Sequence, residues 1–184
     1  MTKNFFFLFL LLYSAIIAQA QYSDSLRKQL IKDWERSKLY TLDYLKVMPS
    51  MNYSFRPQDS IRTFAQQMIH LSQATVSLVN AGTNSQIPPE INRQNLETEL
   101  SALSKDSVTY FVTLSYNYAI TAIANFDFSK SFEYVKRGKF NETRLAWIFK
   151  AFEHQAHHRG QTTIYIRTLG IKPPNERLFD NMYD

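Results

Sequence analysis

The sequence predicts an all-α fold: a four-helix bundle preceded by a cleavable signal peptide. Four long stretches carry apolar residues at the three- and four-residue spacing of an amphipathic helix. Leu, Ala, Lys, Glu and Gln, which favour helix, are frequent in these stretches. The 184 residues contain only four glycines, so a turn-rich all-β fold is disfavoured. A chain of this length is sufficient for one domain with a modest core.

The N-terminus has the pattern of a secretory signal peptide. Lys3 supplies a positive charge, residues 5–18 form an uncharged apolar run, and an Ala-Gln-Ala cleavage site stands at 18–20. The alternative is an uncleaved anchor, but the run is short for a membrane span, which needs roughly 20 residues. We therefore expect residues 1–20 to be removed. Residues 21–184 should then form one exported domain, periplasmic or secreted, with no membrane span after cleavage.

Charge and cysteine content exclude several classes of function. The net charge of +5 comes from scattered basic residues, and the only tight group, Lys-Arg-Gly-Lys at 136–139, is interpreted as a solvated loop. A basic balance often indicates nucleic-acid binding, but an exported protein does not meet nucleic acid in its compartment, so we expect no nucleic-acid partner. The chain has no cysteine, which excludes disulfides, thiolate metal ligands and a cysteine nucleophile.

The first two helices are predicted from apolar spacing and from their ends. The first spans residues 24–47 and stops before the proline at position 49, and an extended linker follows over residues 50–57. The second begins at Asp59 or Ser60, either of which can cap it, and ends just before Gly82. Its predicted core-facing stripe is Ile61, Phe64, Ala65, Met68, Ser72, Thr75 and Val79.

The second half of the chain predicts two further helices joined by an aromatic segment. The third helix spans residues 92–124. Residues 125–139 are aromatic-rich and irregular, and their length favours a packed flap over a simple turn. The fourth helix spans residues 141–169, with Asn141 as its N-cap and Gly170 as its C-cap. Four long helices with few strand signals indicate a four-helix bundle.

Four histidines are the candidate metal ligands: His70, His154, His157 and His158. On a helix, His154 and His158 lie on one face with Cβ atoms roughly 6 Å apart, so both can reach one ion. His157 is rotated by about 100° and does not share that face. The alternative is a pair of ordinary helix histidines. Gln155 stands where a zinc protease of the HExxH type has glutamate, which disfavours that enzyme class.

The third ligand cannot be assigned from spacing. His70 is the only histidine outside the helix that carries the HxxxH pair. It lies well off the apolar stripe of its own helix. That placement does not suit a core residue, and a plain surface histidine is the alternative interpretation.

Three segments together resemble the DinB-like family. Residues 157–161 read HHRGQ and residues 165–174 read YIRTLGIKPP, which is similar to the end of the last helix in that family. Residues 53–57 read YSFRP and lead into the helix that carries His70, which resembles the family's arginine-proline linker. The resemblance covers about residues 24–174 in the correct order.

The resemblance implies a three-histidine site composed of His70, His154 and His158. Three imidazoles with an open position are typical of catalytic rather than structural sites. One divalent metal ion would suit them, and nickel, zinc, manganese and iron are all compatible with this ligand type. The ligand nitrogens of one ion should lie within roughly 3–4 Å of one another. A small-molecule ligand at the metal is then expected.

The same resemblance leaves the activity open. The family includes thiol-dependent transferases and isomerases as well as members without a known activity. Export disfavours thiol transfer, because the low-molecular-weight thiols used by those enzymes are cytoplasmic. The leading hypothesis is a metal-dependent hydrolase or transferase of unknown substrate. The alternative is a non-catalytic metal-binding or structural helical bundle, since the sequence identifies no general base.

Four further residues of the last helix have more than one interpretation. Arg159 could bind an anionic substrate or pair within the protein, and Gln161 could orient a metal-bound water or bridge two helices. Tyr165 could donate a proton, although we expect it to pack. Gly160 predicts a close helix contact, since a glycine in mid-helix costs about 1 kcal/mol.

The last helix is also apolar on more than one side. Leu145, Phe149 and Phe152 lie roughly opposite His154. One apolar face can fill the bundle interior, and the other requires the aromatic flap or a partner. We therefore predict a homodimer.

Overall fold

The computed structural model describes residues 2–179, with side chains for residues 13, 14 and 21–179. In this part of the chain the elements are α1 (Thr2–Val47), α2 (Phe64–Thr83), α3 (Lys105–Ala124), β1 (Tyr134–Arg137), β2 (Phe140–Thr143) and α4 (Arg144–Thr168). Short 3-10 turns occupy Ser50–Asn52, Leu100–Ala102 and Phe128–Lys130.

The helices pack as the predicted four-helix bundle. α2 packs between α3 and α4, and α1 packs against α3 and α4 on the other side of the interior. Trp34 in the C-terminal half of α1 is fully buried and meets the ring of Tyr116 from α3 edge to face at 5.7 Å. Phe64 and Met68 of α2 are also fully buried. The bundle interior is therefore the hydrophobic core of the protein.

Two predictions concern the chain termini. Most of the predicted signal peptide, residues 1–20, lies outside the residues whose side chains are described, and its removal stays a prediction. Residues 180–184, at the end of the predicted domain, lie outside the described part altogether. Within the described residues, no helix is both long enough and apolar enough to cross a membrane.

α2 begins later than its sequence predicts. Its N-cap is Thr63, not Asp59 or Ser60: the Thr63 hydroxyl accepts from the Gln66 backbone N–H, and the Gln66 side chain accepts from the Thr63 N–H. Two orphan donors of the first turn are satisfied together, which a lone capping residue further upstream does not achieve. Ile61 therefore precedes the helix and is 40% exposed, whereas the rest of the predicted stripe is buried.

The end of α2 contacts the start of α4 very closely. The helix continues past Gly82 and stops at Asn84, which adopts the left-handed conformation with φ 58°. A Cβ placed on Gly82 would lie 2.7 Å from the Arg144 carbonyl oxygen and 2.7 Å from Ile148 Cγ1. Gly82 is therefore a contact glycine and not the predicted helix stop. Gly160, predicted to have that role, has nothing within 4 Å of a built Cβ.

The predicted third helix is too long at its N-terminal end. Residues 84–104 cross from α2 to α3 as a loop containing one 3-10 turn, and Ser104 caps α3 by accepting from the Ser107 N–H. Leu100 is 86% exposed, so the apolar spacing over residues 92–104 does not mark a buried helix face. The loop is attached to α2 by Gln73, whose amide donates to the carbonyls of Ile91 and Arg93.

The aromatic flap leads into a β-hairpin, β1 and β2, that the sequence pattern does not predict. β1 and β2 pair antiparallel, with Arg137 opposite Phe140, and Gly138 turns the chain with φ 58°. The basic group at 136–139 is this turn. Asn141 lies in β2 and caps nothing; α4 is capped by Thr143, which accepts from the Ala146 N–H.

The far end of α4 agrees with the sequence prediction. Gly170 adopts φ 74° just after the helix, and its N–H donates to the Arg167 carbonyl. A left-handed glycine at this position is the usual helix terminator. The chain then returns along α1, where the Arg177 guanidinium meets the Asp43 carboxylate at 2.8 Å.

The two helical glycines should respond oppositely to alanine. Gly82→Ala forces a methyl group into the α2–α4 contact and should lower the free energy of unfolding by about 1–3 kcal/mol, the usual effect of overpacking. Gly160→Ala is the matched control, because its Cβ meets nothing, and it should raise stability by up to ~1 kcal/mol through helix propensity. Urea unfolding of both variants measures the difference. A Gly82→Ala protein as stable as the parent would contradict the contact.

Candidate metal centre

The three predicted histidines meet between α2 and α4. Each of His70, His154 and His158 places a ring nitrogen within 4.8 Å of the other two. The ring centroids of His154 and His158 are 4.3 Å apart, and those of His70 and His158 are 4.6 Å apart. That limit is compatible with three ligands of one ion, whose nitrogens lie roughly 3–4 Å from one another when the ion is bound.

The donor set fits a divalent ion, because one ring nitrogen has no other partner. His154 Nε2 is buried and has no hydrogen-bond partner among the described residues. A buried polar atom left in that state costs about 1–3 kcal/mol. The two neighbouring imidazoles can hydrogen-bond to this nitrogen only if one of them donates an N–H. A cation between the three rings would instead bind a lone pair from each ring.

A carboxylate fixes the orientation of His70. Its Nδ1 lies 2.7 Å from Glu97 Oε1, and the other oxygen of Glu97 accepts from Arg62 Nε at 2.7 Å. Nδ1–H is therefore the donor, and Nε2 keeps its lone pair for a ligand. Burial alone would raise the pKa of Glu97, but hydrogen bonds from Arg62 and His70 hold that pKa below its usual value.

Two amides occupy the rear nitrogen of His158. Its Nδ1 is 2.7 Å from Gln67 Nε2 and 3.1 Å from Gln161 Oε1, and the two amides also hydrogen-bond to each other. The Gln67 NH2 group can only donate, so it pairs with an unprotonated Nδ1, whereas the Gln161 oxygen pairs with Nδ1–H. The second tautomer is the one that leaves Nε2 of His158 for a ligand. Gln161 is thus an inter-helix amide that supports the site.

His157 stands apart from the cluster, as its helical angle predicts. Its side chain is exposed, and its Nε2 lies 3.0 Å from Gln161 Nε2. It offers no nitrogen to the group formed by the other three histidines. The site is therefore a three-histidine arrangement within the described residues.

Desolvation keeps two of the rings neutral. The pKa of His158 is lowered to about 4, first by burial and then by repulsion from His154 and His70. The pKa of His154 is lowered for the same reasons, with burial again the largest cause. Neutral imidazole is the ligand form, so these shifts reduce proton competition at the two nitrogens.

Arg159 and Tyr165 take structural roles. The Arg159 guanidinium donates to Ser37 Oγ at 2.7 Å and to Gln155 Oε1 at 2.8 Å, and it lies over the Tyr40 ring. These contacts place it toward α1 and not toward the histidines. Tyr165 is buried and its hydroxyl donates to the Arg62 carbonyl at 2.7 Å, which agrees with the expected packing role.

Glu97 and Gln67 are the supporting residues that sequence reasoning missed. Glu97 is 27 residues from His70 along the chain, in a segment predicted to be helical, and no spacing rule connects the two. Gln67 precedes His70 by less than one helical turn and points to the partner helix, so only the packing of α2 on α4 reveals its role. A carboxylate behind a metal histidine is a common arrangement, but its identity requires the tertiary structure.

Comparisons with known proteins agree on the family and the fold. A model of the DinB family matches residues 20–183. A DinB-like protein from Bacillus cereus has a similar solved structure, with a TM-score of 0.69 and 16% identity, covering 82% of this chain and 97% of that one. A DinB-like protein from Bacillus subtilis gives 0.64 and 14%, covering 83% and 99%. At these identities the two structures show the fold alone. No curated protein matches this chain.

The protonation of His154 and His158 can be measured directly. In metal-free protein, their ring NMR signals should titrate below the ordinary pH of about 6.5, with His158 near the value of about 4 that burial imposes. The unfolded chain then binds more protons than the folded chain between these pH values. The free energy of unfolding of the metal-free protein should therefore fall as pH is lowered through that range. The same titration in concentrated urea provides the unfolded reference, and unshifted folded midpoints would contradict burial of the site.

Proposed function

The chain belongs to the DinB family, and we propose that it binds one divalent metal ion through His70, His154 and His158 and uses it in hydrolysis or group transfer on a small molecule. The observation that carries this proposal is the buried, partnerless Nε2 of His154 beside the other two rings. In a bundle without metal, leaving this nitrogen without a hydrogen bond costs folding free energy, whereas a bound cation would accept its lone pair.

The ligand type limits the metal. Three neutral imidazoles suit nickel, zinc, manganese or iron, and the absence of cysteine removes thiolate sites from consideration. A bound ion of this kind supplies Lewis acidity toward a carbonyl, a phosphoryl group or water. Three protein ligands leave a coordination position open for a substrate, which is the feature that separates catalytic from structural sites.

The protein contributes orientation and charge. Glu97 accepts a hydrogen bond from the Nδ1–H of His70, which holds that ring in one tautomer with Nε2 free for a ligand. Gln161 has the corresponding position behind His158. Residues on three elements therefore hold the ligand nitrogens in place: α2, α4 and the loop before α3.

A protein that binds a small molecule is favoured over a purely structural bundle by open space beside the residues that support the site. A cleft of about 630 Å³ is lined by Gln67 and Gln161, the two amides that contact His158. That volume is in the range of small-molecule sites. The alternative function, non-catalytic metal binding, requires no such cleft.

We also propose that the mature protein is exported and begins at Gln21, as the cleavage pattern predicts. Intact-mass measurement of protein from its native host should give a chain lacking residues 1–20. A full-length chain retained in the membrane fraction would contradict it.

Self-association is a separate proposal. On α4, Phe152 packs edge to face on Trp34 at 5.4 Å and fills the interior, whereas Phe149 is 48% exposed. The exposed ring is available to a second copy of the chain. Static light scattering at micromolar concentration should give twice the mass of one chain, and a single-chain mass would exclude the dimer.

Replacing the ligands should remove the metal. His70→Ala, His154→Ala and His158→Ala should each lose most of the metal found by elemental analysis of protein purified without added metal, because each deletes one of three ligands. His157→Ala is the matched control, since its ring is exposed and outside the cluster, and it should keep the metal. Full metal content in any of the three ligand variants, with circular dichroism unchanged, would contradict the proposal.

A second variant separates ligation from support. Glu97→Gln keeps all three histidines but replaces the charged acceptor of His70 Nδ1–H. Metal affinity should fall by about 10- to 100-fold, the usual effect of losing such a partner, without the complete loss expected for the histidine variants. Competition with a chelator of known affinity measures the change.

A further inference from the structure

A cleft lies behind the histidine site, between the linker that precedes α2 and the C-terminal half of α4. Arg62, Gln67 and Gln161 form its polar side. Gln67 and Gln161 are the amides on His158 Nδ1, and Arg62 is bonded to the Glu97 carboxylate that holds His70. The polar wall of the cleft is therefore the outer layer of the histidine site.

Among the described residues that line the cleft, Arg62 is the only basic one and none is acidic. Its guanidinium side chain is 42% exposed. Nε is bonded to Glu97, and the Nη1 and Nη2 groups have no hydrogen-bond partner among the described residues. The free Nη1–Nη2 edge presents two parallel donors, which match the two oxygens of a carboxylate.

The lining of the cleft also includes apolar, solvent-accessible residues. Ile61 from the linker is 40% exposed and Ile164 from α4 is 57% exposed, and both line the cleft with the ring of Tyr165. Two exposed isoleucines that flank one opening provide apolar surface for a ligand to cover. The lining of the cleft thus combines one guanidinium, which is paired through Nε with Glu97, and apolar surface.

We infer that this cleft binds a small amphipathic carboxylate, with its carboxylate on the Nη edge of Arg62 and its apolar body between Ile61 and Ile164. The inference goes beyond the proposed function, because the cleft meets the rear nitrogen of His158 and the ligand would bind apart from the ion. Binding itself depends on Arg62 and the two isoleucines.

Octanoate, acetate and 1-octanol are suitable probes, since they separate the charge from the apolar body. In titrations of the mature protein with isoleucine-methyl labelling, octanoate should shift the Ile61 and Ile164 methyl signals saturably. Acetate and octanol should each bind at least about tenfold more weakly, because each lacks one of the two contacts. The titration is made on protein with its metal and on protein stripped by a chelator, and binding should persist in both.

Variants then assign the contacts. Arg62→Gln should weaken octanoate by about 10- to 100-fold, as expected for losing charged hydrogen bonds, and should leave octanol unchanged. Ile164→Asn changes an exposed residue and should weaken octanoate and octanol without altering metal content. Arg167→Gln, an exposed arginine of α4 outside the cleft, is the matched control and should have no effect.

Three outcomes would overturn the inference: octanol binding as tightly as octanoate, octanoate binding that is insensitive to Arg62→Gln, or octanoate binding only when metal is present. The last result would assign the carboxylate to the ion. If octanoate binds through Arg62 but the protein never holds metal, the inference about the cleft stands and the proposed metal function is rejected. Failure of the inference can therefore be told apart from failure of the proposed function.

Discussion

The close contact between α2 and α4 is the constraint on which the site depends. Gly82 allows the backbone of α4 at Arg144 to approach without a side chain between them. In antiparallel helices, moving 12 residues back from Gly82 reaches His70, about 18 Å away along the axis. Moving 10 to 14 residues forward from Arg144 reaches His154 and His158, about 15–21 Å away. One contact at the end of the helix pair therefore sets the register that brings three histidines together.

Much of the fold was predictable because helical spacing is a local property. The end of α1, the left-handed Gly170 and the four-helix arrangement all follow from short patterns. The errors arise where tertiary contacts outweigh such patterns. Residues 92–104 have helical spacing, but Gln73 attaches this segment to α2 as a loop. Asp59 and Ser60 were the predicted caps of α2, but the reciprocal bonds between Thr63 and Gln66 start the helix after Thr63 instead.

In the candidate metal site, too, the local features were predictable and the tertiary contacts were not. The HxxxH spacing predicts that His154 and His158 share a face and that His157 does not, because both statements concern one helix. Spacing cannot bring His70 to them, and the family resemblance supplied that ligand. The supporting groups were not predictable at all. Glu97 reaches His70 from a loop 27 residues away, and the lowered pKa of His158 comes from burial that only the assembled bundle provides.

The two ligand rings with described rear partners are held by different chemistry. His70 donates to a carboxylate whose charge is shared with Arg62, whereas the rear nitrogen of His158 faces two neutral amides. The carboxylate fixes the tautomer of His70, while burial lowers the pKa of His158 and so reduces proton competition at that ring. Both rear contacts end at the same cleft, in Arg62 and Gln161. A ligand in that cleft and a cation between the rings would therefore act on one hydrogen-bonded unit, and the affinity of each would depend on the other to the same extent.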